Sequence, residues 1–253
     1  MLAHLYQRTP CRVLFPHPGP GQPVTAVLLV TSGGIAGGDR LRIILDIGAG
    51  AAATVTTQAA EKIYRSLGDA GSIAMTAHVG EGAWLECLPQ ETILFARARL
   101  ERSTEFRLEP GARLLACDTL VFGRWARGER FSGGALFDRW QVVRNGRLIW
   151  TDALRLGGED SAVTLQNPFT FGGAEALGSA IFSADEAPSY LELARSLTGG
   201  AACKAGATLV NGVLLARFLG EAAAVRAALS AYIGALRHAA AGLPQRMPRL
   251  WYN

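Results

Sequence analysis

The sequence predicts a mainly β fold of stacked, helically arranged strands, solenoid-like, with two or so α-helices near the C-terminus. Three observations carry that prediction. Short runs through most of the chain alternate apolar and polar residues with period two. Glycine turns recur between those runs at similar spacing. Charged residues make up only 18% of the 253, and 30 residues are glycine, a balance that favours turns and strands over a helical bundle.

The elements follow in order. Residues 1–23 contain five prolines and read as an irregular or edge segment. VTAVLLV, Val24 to Val30, has the β-branched content and length of a buried strand. The glycine-rich loop TSGGIAGGDR, 31–40, comes next. In LRIILDI, Leu41, Ile43, Leu45 and Ile47 share one face, so a second strand follows the loop. A phosphate cradle needs a helix there, because the helix N-terminus binds the anion. The loop also carries Asp39 where a P-loop would place its lysine. The glycines therefore read as a tight turn, with Asp39 and Arg40 at the mouth of the strand.

Four segments then resemble one another: DIGAGAAATVTT (46–57), HVGEGAWLECLP (78–89), RLEPGARLLACD (107–118) and VVRNGRLIWTDA (142–153). Their turn glycines Gly50, Gly82, Gly111 and Gly146 are spaced by 32, 29 and 35 residues. This predicts strand pairs stacked layer on layer; unrelated hairpins in a sandwich are the alternative. SADEAPSYLELARSLTGG predicts a helix capped by Ser183 and ended by Gly199–Gly200. Leu209 to Gly220 is strand-like. The alanine-rich stretch after it predicts a helix ended by Gly242 and Pro244. Val225, Leu229, Tyr232 and Leu236 form its apolar face, buried in the chain's own core. Arg237 and His238 in its last turn are accounted for by the helix dipole. The expected organisation is one domain, 1–253, with a β-rich body over about 24–180 and a helix-containing part over about 181–253.

Composition narrows the function. The net charge is +4, and of 25 basic residues only Lys62 and Lys204 are lysines. The arginines are scattered, so no nucleic-acid patch is signalled. A stacking role for Tyr64 and Trp125 beside Arg65, Arg97, Arg99, Arg124 and Arg127 is weakened by the interspersed Glu61, Glu91, Glu101 and Glu129. The four cysteines and four histidines are dispersed, which argues against a zinc site and for buried thiols. The N-terminus lacks a signal-peptide pattern, and no apolar run reaches membrane-spanning length. A soluble, cytoplasmic protein is expected.

Three segments concentrate polar groups: Thr56 to Ser66, Cys87 to Phe95 and Phe122 to Gly134. No nucleophile elbow occurs. Glu91 with Glu129 or Asp39 has the residue types of a glycosidase dyad. Buried Glu–Arg pairs between stacked strands are the competing reading. Any metal held by carboxylates and water alone would be held weakly, which suits passage better than storage.

The same segments resemble the urease accessory protein UreD family, called UreH in some bacteria. The matching stretches are GGIAGGDRL (33–41), TTQAAEKIYRS (56–66), LPQETILF (88–95), FGRWARGERF (122–131), NGVLLARFLG (211–220) and MPRLW (247–251). Two positions depart from the family pattern: Ser32 stands before Gly33 where proline is usual, and Glu61 stands where threonine is usual. The resemblance implies a non-enzymatic scaffold of mostly β, helically stacked fold. It implies binding to apo-urease and to UreF, which recruits the GTPase UreG, so that GTP hydrolysis places nickel in urease, with UreE the usual donor. It also implies an internal passage for nickel, with no tightly bound cofactor and only transient Ni2+. On that reading Asp39, Glu61, Glu91 and Glu129 are expected to line the path, and the C-terminal helices to meet UreF. The alternatives are a β-solenoid carbohydrate enzyme with paired carboxylates and a plain protein-binding β scaffold.

Overall fold

The computed structural model describes residues 2–158 and 160–252; the outer limits of the expected domain, at 1 and 253, lie outside them. The strands are β1 (Cys11–Leu14), β2 (Val24–Val30), β3 (Arg40–Ile47), β4 (Ala52–Thr57), β5 (Glu61–Ile63), β6 (Gly71–Val79), β7 (Trp84–Leu88), β8 (Thr92–Leu94), β9 (Arg99–Leu108), β10 (Arg113–Val121), β11 (Ala135–Arg144), β12 (Arg147–Gly157), β13 (Ala176–Ser183), β14 (Lys204–Val210) and β15 (Val213–Gly220). The helices are α1 (Ser161–Gln166), α2 (Leu191–Gly199) and α3 (Ala222–Ala241). No helix among the described residues is long and apolar enough to cross a membrane.

The fold is mainly β and solenoid-like. The chain passes back and forth between two sheets. β2, β4, β7 and β10 run parallel in the first. β3, β6, β9 and β11 run parallel in the second. Short β5 and β8 pair in parallel at a corner between them, and β8 joins β10. Ala52 faces Trp84, and Trp84 faces Arg113, so successive coils take 32 and then 29 residues. Those are the spacings of the turn glycines. Gly50, Gly82 and Gly111 all turn in the left-handed region, at φ 64°, 63° and 67°, which glycine enters without a Cβ penalty. Their turns also stack: the Gly50 N–H donates to the Glu81 carbonyl at 2.8 Å, and the Gly82 N–H to Pro110 at 3.1 Å.

The fourth turn behaves differently. Asn145 and Gly146, at φ 51° and 75°, form a two-residue hairpin that returns β12 antiparallel to β11 within the second sheet. Its similarity to the other turns lies in local sequence, and the climb ends there. The first sheet is then extended by β13, β15 and β14, all antiparallel.

Three layers result. Leu85, Leu114 and Ile181 of the first sheet pack against Phe106, Val142 and Trp150 of the second. Leu115, Phe182, Leu214 and Phe218, on the opposite face, are covered by Leu229, Tyr232 and Ile233 of α3. A strand buried on both faces reads as a near-continuous apolar run, as RLLACDTLV does in β10 apart from Asp118 and Thr119. β3 alternates exposed and covered residues because only one face of its sheet is packed. The expected face of α3 is buried, with Val225, Leu229, Tyr232 and Leu236 no more than 1% exposed. Ser183 is not a helix cap. It ends β13, where ladder pairing with Leu114 and Val213 holds it, and the helix begins only at Leu191 after a short 3-10 turn containing Pro188. Cys87 and Cys117 are buried thiols, as expected, whereas Cys11 and Cys203 are only half-buried.

Candidate functional site

The conspicuous sequence segments stack at one corner of the coil. The glycine-rich loop lies along β5: the Ile35 N–H donates to the Lys62 carbonyl, and the Tyr64 N–H to the Ile35 carbonyl, both at 2.8 Å. A Cβ on Gly34 would stand 2.7 Å from the Lys62 carbonyl oxygen, so the close approach requires glycine. Tyr64 seals the contact by donating its hydroxyl to the Gly33 carbonyl at 3.0 Å. Asp39 is exposed, and its Oδ2 accepts the Ala36 N–H at 2.9 Å. It therefore holds the turn at the surface and does not line the interior, because the glycine loop turns it outward.

The other three carboxylates go separate ways. Glu61, on β5, is half-buried, and that burial raises its carboxyl above the usual range. Glu91 is bound by the Arg226 guanidinium of α3. Glu129 is gripped by Arg124 and also accepts the Ala96 N–H at 3.1 Å. The hydrogen bond from Arg124 holds its carboxyl below the usual range. Among the described residues, no three histidine, cysteine or carboxylate side chains sit together as a metal site.

A different polar group lies between the two sheets. Arg102 of β9 reaches Asp138 of β11 with Nε to Oδ1 at 2.9 Å and Nη2 to Oδ2 at 2.6 Å. It forks as well onto Asp118 of β10, with Nη1 to Oδ1 at 3.1 Å, and donates to Thr92 Oγ1 at 3.1 Å. All three charged side chains are at most 10% exposed. One guanidinium faces two carboxylates, so the ionised cluster holds one surplus negative charge. Burial pushes the Asp118 carboxyl up, Arg102 pulls it back, and the nearby Asp138 adds to the rise. Asp118 and Asp138 also border a narrow cleft of about 20 Å³, room for about one water. Its far side is lined by Asp152, Ser179 and Arg217, where Arg217 pairs with the half-exposed Asp152 and donates to Ser179 Oγ at 2.9 Å.

Sequence reasoning missed this cluster, although a signal was present. Arg102 is in phase with Leu100 and Phe106, and Asp138 with Leu136 and Val142. Asp118 interrupts a continuous apolar strand.

Against known proteins, the model of the UreD urease accessory protein family matches residues 1–252. The chain belongs to this family. A UreD from Magnetococcus marinus is 43% identical over 99% of this chain and 88% of its own length. Those from Granulibacter bethesdensis and Rhodopseudomonas palustris are each 41% identical, over 95% and 98% of this chain and 100% and 86% of their own.

In this UreD chain the C-terminal segments are clamped to the coil by a second buried pair. Arg237 of α3 and Glu86 of β7 are both fully buried. Arg237 donates Nε and Nη2 to the two Glu86 oxygens, each at 2.8 Å. It also donates to the carbonyls of Pro244 (2.9 Å) and Arg246 (2.6 Å) and to Gln22 Oε1 (2.9 Å). Thr54 Oγ1 donates to Glu86 at 2.6 Å. All five guanidinium protons are thus used. The helix dipole therefore does not account for Arg237, which points inward and joins β7, α3, the tail and the N-terminal segment. Just before the N-terminus of α3, an open groove of about 810 Å³ runs past Trp125, Phe171, Glu175 and Lys204, with Arg130 stacked 3.6 Å over the Trp125 ring.

Proposed function

We propose that this chain is a non-catalytic scaffold for urease maturation in the cytoplasm. It acts as a single unit that binds apo-urease together with UreF, through which UreG is recruited, and nickel is its transient cargo. The observation that carries this reading is the family match over residues 1–252. The engagement of Glu91 and Glu129 by separate arginines also supports a scaffold over a paired-carboxylate hydrolase.

The route we propose for nickel runs between the sheets, past Asp118 and Asp138 and out by Asp152. Glu61, Glu91 and Glu129 remain candidates for its corner end. Carboxylate oxygens with a surplus negative charge attract a divalent ion. Arg102 already occupies those oxygens, so the ion is held weakly and released. Asn in place of Asp118 is expected to leave UreF and apo-urease co-purifying with the chain while lowering the nickel content of urease several-fold. Full nickel loading in an Asp118→Asn, Asp138→Asn double variant would overturn the route. Failure to recover UreF or urease with the wild-type chain would overturn the scaffold itself.

A further inference from the structure

β3 is the open edge of the five-stranded sheet: β6 pairs one side of it, and no described strand pairs the other. The Asp39 carbonyl accepts the Ser72 N–H of β6 at 2.7 Å. Backbone direction alternates along a strand, so Leu41, Ile43, Leu45 and Ile47 turn their N–H and C=O groups toward β6. Arg40, Arg42, Ile44 and Asp46 turn theirs to the open edge. The side chains of these same four residues lie on the uncovered face, where Ile44 is 54% exposed.

Edges of this kind are usually blunted by proline, by a bulge, or by charge that repels a second copy. β3 has no proline, and its pairing with β6 runs over eight residues without a register shift. Its charges are of mixed sign. A two-fold axis through Ile44 sets Arg42 opposite Asp46 of a second copy, Asp46 opposite Arg42, and Ile44 opposite Ile44. All three are pairs whose free N–H and C=O groups face each other, so each exchanges two backbone hydrogen bonds. On the covered face the same register sets Leu41 opposite Ile47 and Ile43 opposite Leu45. The edge is therefore complementary to itself in both charge and hydrogen bonding.

We propose that β3 is a homotypic docking edge, through which two copies of this chain join their second sheets antiparallel about Ile44. The contact is isologous and closes on itself, so it yields a dimer and no fibre. This inference is independent of the nickel route.

Sedimentation velocity on the full chain, over a concentration series, tests it. The wild type is expected to shift from monomer to dimer as concentration rises. Arg42→Asp alone and Asp46→Arg alone are expected to stay monomeric, because each opposes like charges across the axis. The double variant Arg42→Asp, Asp46→Arg restores opposite signs and is expected to dimerise again. Hydrogen exchange is expected to slow in residues 40–47 of the wild type at the higher concentrations, and circular dichroism will show that the variants keep the wild-type fold. A wild type that stays monomeric throughout, or single variants that dimerise as well as wild type, would overturn the proposal.

Discussion

Arg102 stands against two buried carboxylates, and removing different members of that trio has unequal consequences. Arg102→Met leaves Asp118 and Asp138 facing each other without a counter-charge, and losing the partner of a buried ion costs roughly 3–5 kcal/mol. Asp118→Asn leaves the Arg102–Asp138 fork in place and is expected to cost about 1–3 kcal/mol. Urea unfolding of both variants should give that order. The reverse order would contradict the stranding of two buried carboxylates as the larger cost. The site was written in the sequence as charged residues in phase with apolar ones. Periodicity says which residues share a face, but not which face a second sheet will cover. Asp39, Glu91 and Glu129 stood out for the opposite reason. They lie in distinctive loops, where a carboxylate can serve a local turn or a nearby arginine.

At the scale of the element, α3 shows how much of its surroundings a helix leaves unstated. Its apolar stripe was legible, because Val225, Leu229, Tyr232 and Leu236 recur at helical spacing and all are buried. The role of Arg237 was not, because a cation in the last turn is already favoured by the dipole. Ile233, one turn before Arg237, is fully buried, which places the arginine on the inward side. Arg237→Met is expected to destabilise the chain by roughly 3–5 kcal/mol by stranding Glu86. Pairing it with Glu86→Met should recover much of that loss. A double variant as unstable as the sum of the singles, measured by urea midpoints, would contradict coupling between the two residues. The N-terminus of α3 uses a remote partner in a similar way: the Ala222 N–H is capped at 3.0 Å by Glu175, which lies before β13. Ser183 misled for a related reason. A serine before two acids is a good helix start, yet ladder pairing on both sides kept it in a strand.

For the molecule as a whole, the coil was readable from the glycine spacing, which matches the register of β4, β7 and β10. The helical layer over the first sheet and the hairpin at Gly146 were not, since both depend on contacts far apart in sequence. β7 and β10 lie inside the first sheet with strands on both sides, so their amides should exchange slowest. The edge strands β1 and β14 should exchange fastest. Uniform protection across these strands would argue against a layered stack.

The coils are also unequal in length: Arg99 of β9 faces Ala135 of β11, a step of 36 residues where its predecessor takes 29. The excess sits in the corner between Val121 and Ala135, which carries Arg124 and Glu129. A corner can grow or shrink while every strand keeps its facing. One residue added between Arg113 and Cys117 would instead turn Asp118 toward the helices and Cys117 toward the second sheet. The extra length of the corner is not slack, however: Phe131 within it is only 1% exposed, so shortening this corner is expected to cost core packing while leaving the facing of every strand unchanged.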